Sequence, residues 1–131
     1  MATVFTKIIN GEIPCYKIYE DENYFAFLDI NPLQKGHTLV VPKKEEDYIF
    51  NLDDKIYTGL QLVAKKIAVA IKESLNCKRV GVTVLGMEVP HVHIHLVPMN
   101  SEKDMLFSNP KKELSKDEFE AIAADIAKRV K

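Results

Sequence analysis

The sequence predicts an α+β domain, with an antiparallel sheet of about five strands, one long helix and a C-terminal helix, the helices lying over one face of the sheet. β-Branched and aromatic segments bounded by turn residues occur before and after a long stretch with helical spacing, and a second helical stretch closes the chain. The 131 residues, 47% of them hydrophobic, contain no internal repeat or linker. We therefore expect residues 1–131 to fold as a single domain.

Three strands are predicted in the first part of the chain. Residues 15–19 and 24–29 flank the polar turn 20–23, a pattern typical of a β-hairpin. Residues 37–41 are rich in β-branched side chains, and the run stops at Pro42 because proline has no backbone N–H for a strand to donate. This run is the third predicted strand.

The second part of the chain predicts the long helix, two more strands and the closing helix. After Asp53, apolar residues recur at intervals of three and four, which places them on one helical stripe: Ile56, Leu60, Val63, Ile67, Ile71 and Leu75. Residues 79–85 and 89–97 are predicted to form antiparallel strands. Ser115 and Glu118 have the spacing of a capping box and precede the apolar pattern of the closing helix.

Composition and cysteine usage exclude several kinds of partner. Eighteen basic and nineteen acidic residues are interspersed and nearly cancel, unlike the basic footprint of a nucleic-acid-binding protein. Cys15 and Cys77 lie outside any C-x-x-C pair, so we expect two buried thiols in a reducing compartment. No signal peptide is evident, and the longest apolar run, residues 67–71, falls far short of the ~20 residues of a membrane span. We expect a cytoplasmic protein with no nucleic-acid and no membrane partner.

Three of the four histidines alternate along the strand predicted at residues 89–97. Successive side chains of a strand point to opposite faces, so one face carries His91, His93 and His95 and the core face carries Val92, Ile94 and Leu96. Burial alone gives no reason to concentrate groups that titrate near neutral pH. The row therefore indicates chemistry.

Two kinds of chemistry are compatible with this row. Imidazole is a common zinc ligand, but His91 and His95 would lie about 13 Å apart along an ideal strand, too far for three rings to share one ion. A zinc site made of two of these rings and His37 remains an alternative, although no Asp or Glu closely follows either His-x-His pair. Neutral imidazole is also a nucleophile, and neighbouring rings can donate hydrogen bonds to phosphate oxygens and a proton to a leaving group. We favour attack on phosphorus and expect no metal and no other cofactor.

Several segments resemble one known superfamily. The histidine row is similar to the His-φ-His-φ-His-φ-φ signature of the histidine triad superfamily, where φ is apolar: His91-Val92-His93-Ile94-His95-Leu96-Val97. Residues 5–14 are similar to the opening of its Hint branch, and residues 27–32 and 36–43 resemble the nucleotide-binding half of that branch. The resemblance extends from Val4 to Pro98.

The resemblance implies a homodimeric α+β enzyme that cleaves purine nucleoside phosphates, adenylyl phosphoramidates above all, at the α-phosphorus without an essential metal. By motif position, His93 is the implied nucleophile, His95 is implied to contact the phosphate and assist proton transfer, and His91 is implied to support the row. His37 matches the fourth histidine of the family, and Asp29 matches an acidic residue on the ribose hydroxyls. The implied base and ribose pocket consists of Val4, Phe5, Ile8, Phe27, Ile30 and Leu39.

The chain departs from the family pattern just before the triad. Much of the Hint branch has Gln followed by Ser or Thr where this chain has Met87 and Glu88, which puts a negative acceptor near the phosphate. The leaving-group preference therefore stays open, and two alternatives are a nucleotide-binding protein with little turnover and a hydrolase of dinucleoside polyphosphates. Residues 99–113 are polar and form either a surface loop or a lid over the site.

Overall fold

The computed structural model describes residues 2–131. In chain order, its helices and strands are α1 (Val4–Ile9), β1 (Lys17–Glu20), β2 (Tyr24–Leu28), β3 (Thr38–Pro42), α2 (Asp54–Leu75), β4 (Arg79–Thr83), β5 (Ile94–Met99) and α3 (Lys116–Arg129). Short 3-10 helices occur at Ile49–Asn51 and Glu102–Met105. Across residues 2–131, no helix combines the length and apolarity needed to cross a membrane.

The five strands form one antiparallel sheet in the order β1-β2-β3-β5-β4, which confirms the predicted fold class. The predicted hairpin is present, and Asp21 closes its turn by accepting the backbone N–H groups of Asn23 and Tyr24. β1 begins at residue 17 instead of 15, and β4 ends at residue 83 instead of 85. In the middle of the sheet, β3 and β5 pair although they are distant in sequence, so the run after residue 36 lies beside the histidine segment.

Helices α2 and α3 cover one face of the sheet. The Asp53 side chain accepts the N–H of Ile56 at the start of α2, and Asn76 ends this helix in the left-handed region at φ 51°. The predicted capping box of Ser115 and Glu118 is present at the start of α3. Apolar side chains of both helices pack against the facing side of the sheet, among them Leu60, Ile67, Ile71, Phe119, Ala26, Leu28, Val40, Ile94 and Leu96.

The opposite face of the sheet carries α1 and a second apolar cluster. Side chains alternate along β2 and β3, so this cluster contains the residues that point away from α2: Phe25, Phe27, Leu39 and Val41. Phe5 of α1 packs edge-on against Phe27, with 5.5 Å between ring centroids. Because Ile94 and Leu96 point towards α2, His95 between them points to the α1 side.

The strand that carries the histidines lies further along the chain than predicted. β5 spans Ile94–Met99, whereas the pattern predicts a strand at 89–97. The N–H of Val92 donates to the carbonyl of Glu46, so this part of the chain is held by the loop after β3 and not by a neighbouring strand. Pro98 is accommodated because β3 pairs only with the first half of β5. Only the last histidine of the row therefore belongs to the strand.

Helix α1 is absent from the predicted elements. Its six residues include apolar side chains at helical spacing, and the Thr3 side chain caps it by accepting the N–H of Thr6. A helix this short is unstable in isolation. Its formation therefore depends on packing against the sheet, which a local pattern does not display.

Candidate active site

The four histidines cluster on the α1 side of the sheet, but they differ in accessibility. His93 and His95 line two adjoining cavities, and their ring centroids are 4.9 Å apart. His37 is buried and lines only the second cavity. His91 has no exposed surface and lines neither cavity. The group thus divides into two rings that can meet a ligand and two that support them.

Hydrogen bonding fixes which nitrogen of His93 carries the proton. His93 Nδ1 donates to the backbone carbonyl of His91 at 2.8 Å, so the neutral ring keeps its lone pair on Nε2. In residues 2–131, every fully buried side-chain nitrogen and oxygen has a hydrogen-bond partner. Nε2 of His93 has no partner among these residues, so it is accessible. An accessible, unprotonated imidazole nitrogen is the nucleophilic form of histidine.

Hydrogen bonds also fix the proton positions of His37 and His95. The N–H of Leu33 donates to His37 Nδ1 at 3.0 Å, so His37 Nε2 carries a proton and donates it to His95 Nδ1, also at 3.0 Å. Neutral His95 therefore carries its own proton on Nε2. Burial, reinforced by repulsion from neighbouring imidazoles, lowers the pKa of His37 to about 3 and that of His95 to about 4. Both rings are neutral at pH 7, with one N–H of His95 left for a ligand.

The first cavity is mostly apolar and measures about 280 Å³. It lies against α1, β2 and β3, and its walls include all six residues implied for the base and ribose pocket: Val4, Phe5, Ile8, Phe27, Ile30 and Leu39. Ile30 is 65% exposed, so it forms part of the rim. An apolar slot with a few polar groups at one end is typical of a small-molecule site.

Asp29 lies where the two cavities meet. Its Oδ1 accepts the backbone N–H of Asn31 at 2.9 Å, and its Oδ2 lies 3.6 Å from Nε2 of His37. Burial raises the pKa of Asp29, while the hydrogen bond from the Asn31 N–H and the nearby charge of Lys111 lower it. The carboxylate keeps acceptor capacity for ligand hydroxyls.

The second cavity is more polar and measures about 250 Å³. It shares both accessible histidines, Asp29 and Glu88 with the first cavity. Met87 and Glu88 contribute to its wall from the segment before the triad, and Lys111 contributes from residues 99–113. A group that enters this cavity therefore meets charges of both signs.

Residues 99–113 cover part of the histidine cluster. Phe107 packs edge-on against His95, with centroids 4.9 Å apart, and against His37 at 6.3 Å. Lys111 Nζ donates to the backbone carbonyl of Phe107, which holds the segment in a compact turn. A single aromatic residue in a polar segment gives no local signal of this role, so the pattern did not identify Phe107.

Cys15 and Thr3 are two further residues near the site that the sequence pattern did not identify. Cys15 is half-buried and lines the first cavity, so the prediction that both thiols are buried is wrong for Cys15 and correct for Cys77. Burial raises the pKa of the Cys15 thiol. Thr3 Oγ1 lies 2.7 Å from His91 Nδ1. The sequence signals at these residues are weak: Cys15 follows Pro14 in a turn, and Thr3 is a residue type that favours helix N-caps.

One group of side chains has the spacing of a metal site in the described part of the chain. Ligand atoms of Asp29, His37 and His95 all lie within 4.8 Å of one another. However, His37 Nδ1 accepts the N–H of Leu33, so Nε2, the nitrogen that faces the other two residues, holds the proton of the neutral ring. A metal at Nε2 would have to displace that proton and break the Leu33 hydrogen bond or create an imidazolate. The hydrogen bonding of these residues does not fit a metal ligand set.

Comparisons with known proteins agree with one another. The HIT domain family matches residues 10–102 of the chain. The chain is 34% identical over 133 aligned positions to the adenosine 5′-monophosphoramidase of Schizosaccharomyces pombe, with 100% of both chains covered. A HIT-like protein of Bartonella henselae superposes with a TM-score of 0.86 at 29% identity, covering 97% of this chain and 95% of that chain. A zinc-bound histidine triad family protein of Mycobacterium smegmatis superposes with a TM-score of 0.81 at 29% identity, covering 98% and 95%.

Proposed function

The chain belongs to the HIT family, and we propose that it is a metal-independent nucleotidyl hydrolase or transferase acting on the α-phosphorus of purine nucleoside phosphoramidates or related nucleotides. Relatives named adenosine 5′-monophosphoramidase, at 34% and 38% identity, support nucleotide hydrolysis. One observation carries the proposal. The free Nε2 of His93 and the N–H of His95 stand side by side where an apolar cavity meets a polar one.

The two cavities suggest how a substrate binds. The base and ribose occupy the apolar cavity, where Phe5, Phe27 and Leu39 form the walls and Asp29 accepts hydrogen bonds from the ribose hydroxyls. The α-phosphate then lies at the junction of the cavities, where it accepts the Nε2–H of His95. The leaving group extends into the polar cavity.

The chemistry follows in two steps through a covalent nucleotidyl-His93 intermediate. The Nε2 lone pair of His93 attacks the phosphorus, and the bond from phosphorus to the leaving amine breaks. The anionic phosphate favours the protonated form of His95, opposing the lowered pKa of the free enzyme. The added proton on Nδ1 displaces the hydrogen bond from His37, and His95 gives its Nε2 proton to the departing amine. Water then attacks the phosphorus and returns a proton to His95, which releases the nucleoside monophosphate and restores His93.

We also propose a homodimer that associates through α2 and β4. Within residues 2–131, strand β4 pairs only with β5, so one of its edges is free. Val69 and Val82 are exposed beside a shallow groove of about 400 Å³ between α2 and β4. A free strand edge next to an apolar surface favours burial, and in a two-fold assembly β4 becomes a central strand. A monomer mass in light scattering at micromolar concentration would contradict the dimer.

We also propose a cytoplasmic location and a single domain spanning residues 1–131. Cys15 and Cys77 are free thiols, which supports a reducing compartment. The two apolar clusters lie on opposite faces of one sheet, which supports one folding unit. Thiol labelling in intact cells and a single two-state unfolding transition are the corresponding tests.

The test of the function is AMP release from adenosine 5′-phosphoramidate, without added metal and in the presence of a chelator. We expect turnover by the native protein and none by His93→Ala. Thr58→Val, on the solvent side of α2, is the control, because the Thr58 hydroxyl bonds only its own helix. Bound AMP without turnover would favour a nucleotide-binding protein, and turnover of a diadenosine polyphosphate alone would favour that substrate class.

A further inference from the structure

A single hydroxyl group joins the start of α1 to the first histidine of the triad. Thr3 Oγ1 accepts the N–H of Thr6 at 3.0 Å as the helix N-cap, and it lies 2.7 Å from Nδ1 of His91. His91 is completely buried and lines neither cavity. Any influence of His91 on the reaction must therefore pass through its neighbours.

The direction of the contact between Thr3 and His91 follows from the other ring nitrogen. His91 Nε2 lies 2.8 Å from the backbone carbonyl of Pro42, which can only accept, so Nε2 carries the proton. Burial lowers the pKa of His91, so the ring is neutral at pH 7 and its Nδ1 is an acceptor. Thr3 must therefore donate its hydroxyl proton to Nδ1.

Thr6 and Glu45 leave the Thr3 proton free for this bond. The Thr6 hydroxyl donates to Oε1 of Glu45 and so has no proton left for Thr3, although the two hydroxyl oxygens are 3.1 Å apart. The Thr3 oxygen already accepts the Thr6 N–H. Every donor in the chain from Glu45 to His91 is thus assigned to one acceptor.

We propose that Thr3 is a positioning residue for catalysis, whose hydroxyl holds His91 in the Nε2–H tautomer and thereby fixes the carbonyl that orients His93. This inference rests on the proposed function, because it assumes that His93 is the nucleophile. The backbone carbonyl of His91 accepts Nδ1–H of His93 and keeps the Nε2 lone pair directed at the cavities. The same hydroxyl fixes the start of α1.

The contact between Thr3 and His91 also affects the site through helix α1. Phe5, two residues after Thr3, packs edge-on against both His91 and His93, with centroids 5.7 and 5.0 Å away. Phe5 also lines the apolar cavity. The Thr3 hydroxyl therefore couples three things: the tautomer of His91, the orientation of His93 and the position of one wall of the nucleotide pocket.

The test compares Thr3→Val, which removes the hydroxyl at nearly constant volume, with Thr3→Ser, which keeps it. We expect Thr3→Val to lower kcat for phosphoramidate cleavage roughly 10- to 100-fold with a smaller change in KM, since small misplacements of a reacting group cost rates of this order. Thr3→Ser should restore most of kcat. Thr58→Val is again the control for loss of a threonine hydroxyl remote from the triad.

A spectroscopic measurement makes the test independent of activity. Long-range ¹H–¹⁵N spectra distinguish protonated from unprotonated ring nitrogens, and we expect an unprotonated, hydrogen-bonded Nδ1 for His91 in the native protein and in Thr3→Ser. In Thr3→Val the Nδ1 signal should shift. A native spectrum and native kcat in Thr3→Val would overturn the inference, as would a protonated Nδ1 in the native protein. If the native protein turned over no nucleotide, the proposed function would fail, whereas the spectra would still decide the tautomer of His91.

Discussion

Two substitutions of His37 separate its two hydrogen bonds. The side-chain oxygen of Asn reaches about as far as Nδ1 of histidine, so His37→Asn keeps an acceptor for the N–H of Leu33 but loses the donor to His95. The amide of Gln reaches about as far as Nε2, so His37→Gln keeps the donor to His95 but leaves the Leu33 N–H without a partner. Both variants lose the imidazole ring, so that shared cost cancels when they are compared.

The expected magnitudes follow from the bonds that each variant loses. One hydrogen bond is worth about 1 kcal/mol net, so losing the His37 donor removes roughly a factor of five in preference for the Nε2–H tautomer of His95. Complete loss of a donor to a reacting phosphate costs about 10²–10³ in kcat, which sets the upper limit. We expect kcat to fall about 10- to 100-fold in His37→Asn and only a few-fold in His37→Gln.

The free energy of unfolding should order the two variants the opposite way from kcat. His37→Gln leaves a buried backbone N–H unpaired, which costs about 1–3 kcal/mol in the free energy of unfolding relative to His37→Asn. Urea unfolding measures this difference, and AMP release from adenosine 5′-phosphoramidate under saturating substrate measures kcat. Equal kcat values in the two variants, or a lower kcat in His37→Gln, would refute the assignment of the His95 proton.

Three further predictions concern pH, the ribose and the leaving group. In the folded protein the pKa values of His37 and His95 are about 3 and 4, whereas both are 6.5 in the unfolded chain. Below pH 6.5 the unfolded state therefore binds more protons, and the free energy of unfolding falls as the pH is lowered from 6.5. The free energy of unfolding, measured in urea, should be about 2–4 kcal/mol lower at pH 5 than at pH 7, and the raised pKa of Asp29 makes this difference smaller. An equal free energy of unfolding at both pH values would contradict the burial of these rings in the neutral form. Asp29→Asn should raise KM for the ribonucleotide more than for its 2′-deoxy analogue, and an equal rise for both would remove Asp29 from the ribose site. Glu88→Gln should raise kcat/KM for phosphoramidates with an anionic leaving group relative to those with a cationic one, about 2- to 5-fold for an exposed charge. An unchanged ratio would show that Glu88 does not face the leaving group.

Features set by nearby residues were predictable from the sequence. The apolar stripe of α2, the capping box of Ser115 and Glu118 and the hairpin turn at Asp21 each depend on residues within a few positions of one another. The alternation of Val92, Ile94 and Leu96 also predicted the core face correctly, even though the strand begins only at residue 94.

Features set by contacts between distant segments were not predictable. His91 and His93 occur in one motif, yet His91 is buried because the end of β3 and the start of α1 close over it. Phe107 reaches His95 only because residues 99–113 fold back across the sheet. Neither contact has a periodic or capping signal, since each depends on where two parts of the chain meet.

Trapping the covalent intermediate on His93 tests the proposed mechanism most directly. The native protein is mixed with excess adenosine 5′-phosphoramidate, quenched within the first turnover and examined by intact-mass and peptide mass spectrometry under conditions that preserve phosphorus–nitrogen bonds. We expect an adenylyl adduct on His93, formed together with a burst of amine release equal to the enzyme concentration, and no adduct in His93→Ala. An adduct on another residue, or amine release by His93→Ala at the native rate, would contradict nucleophilic catalysis by His93.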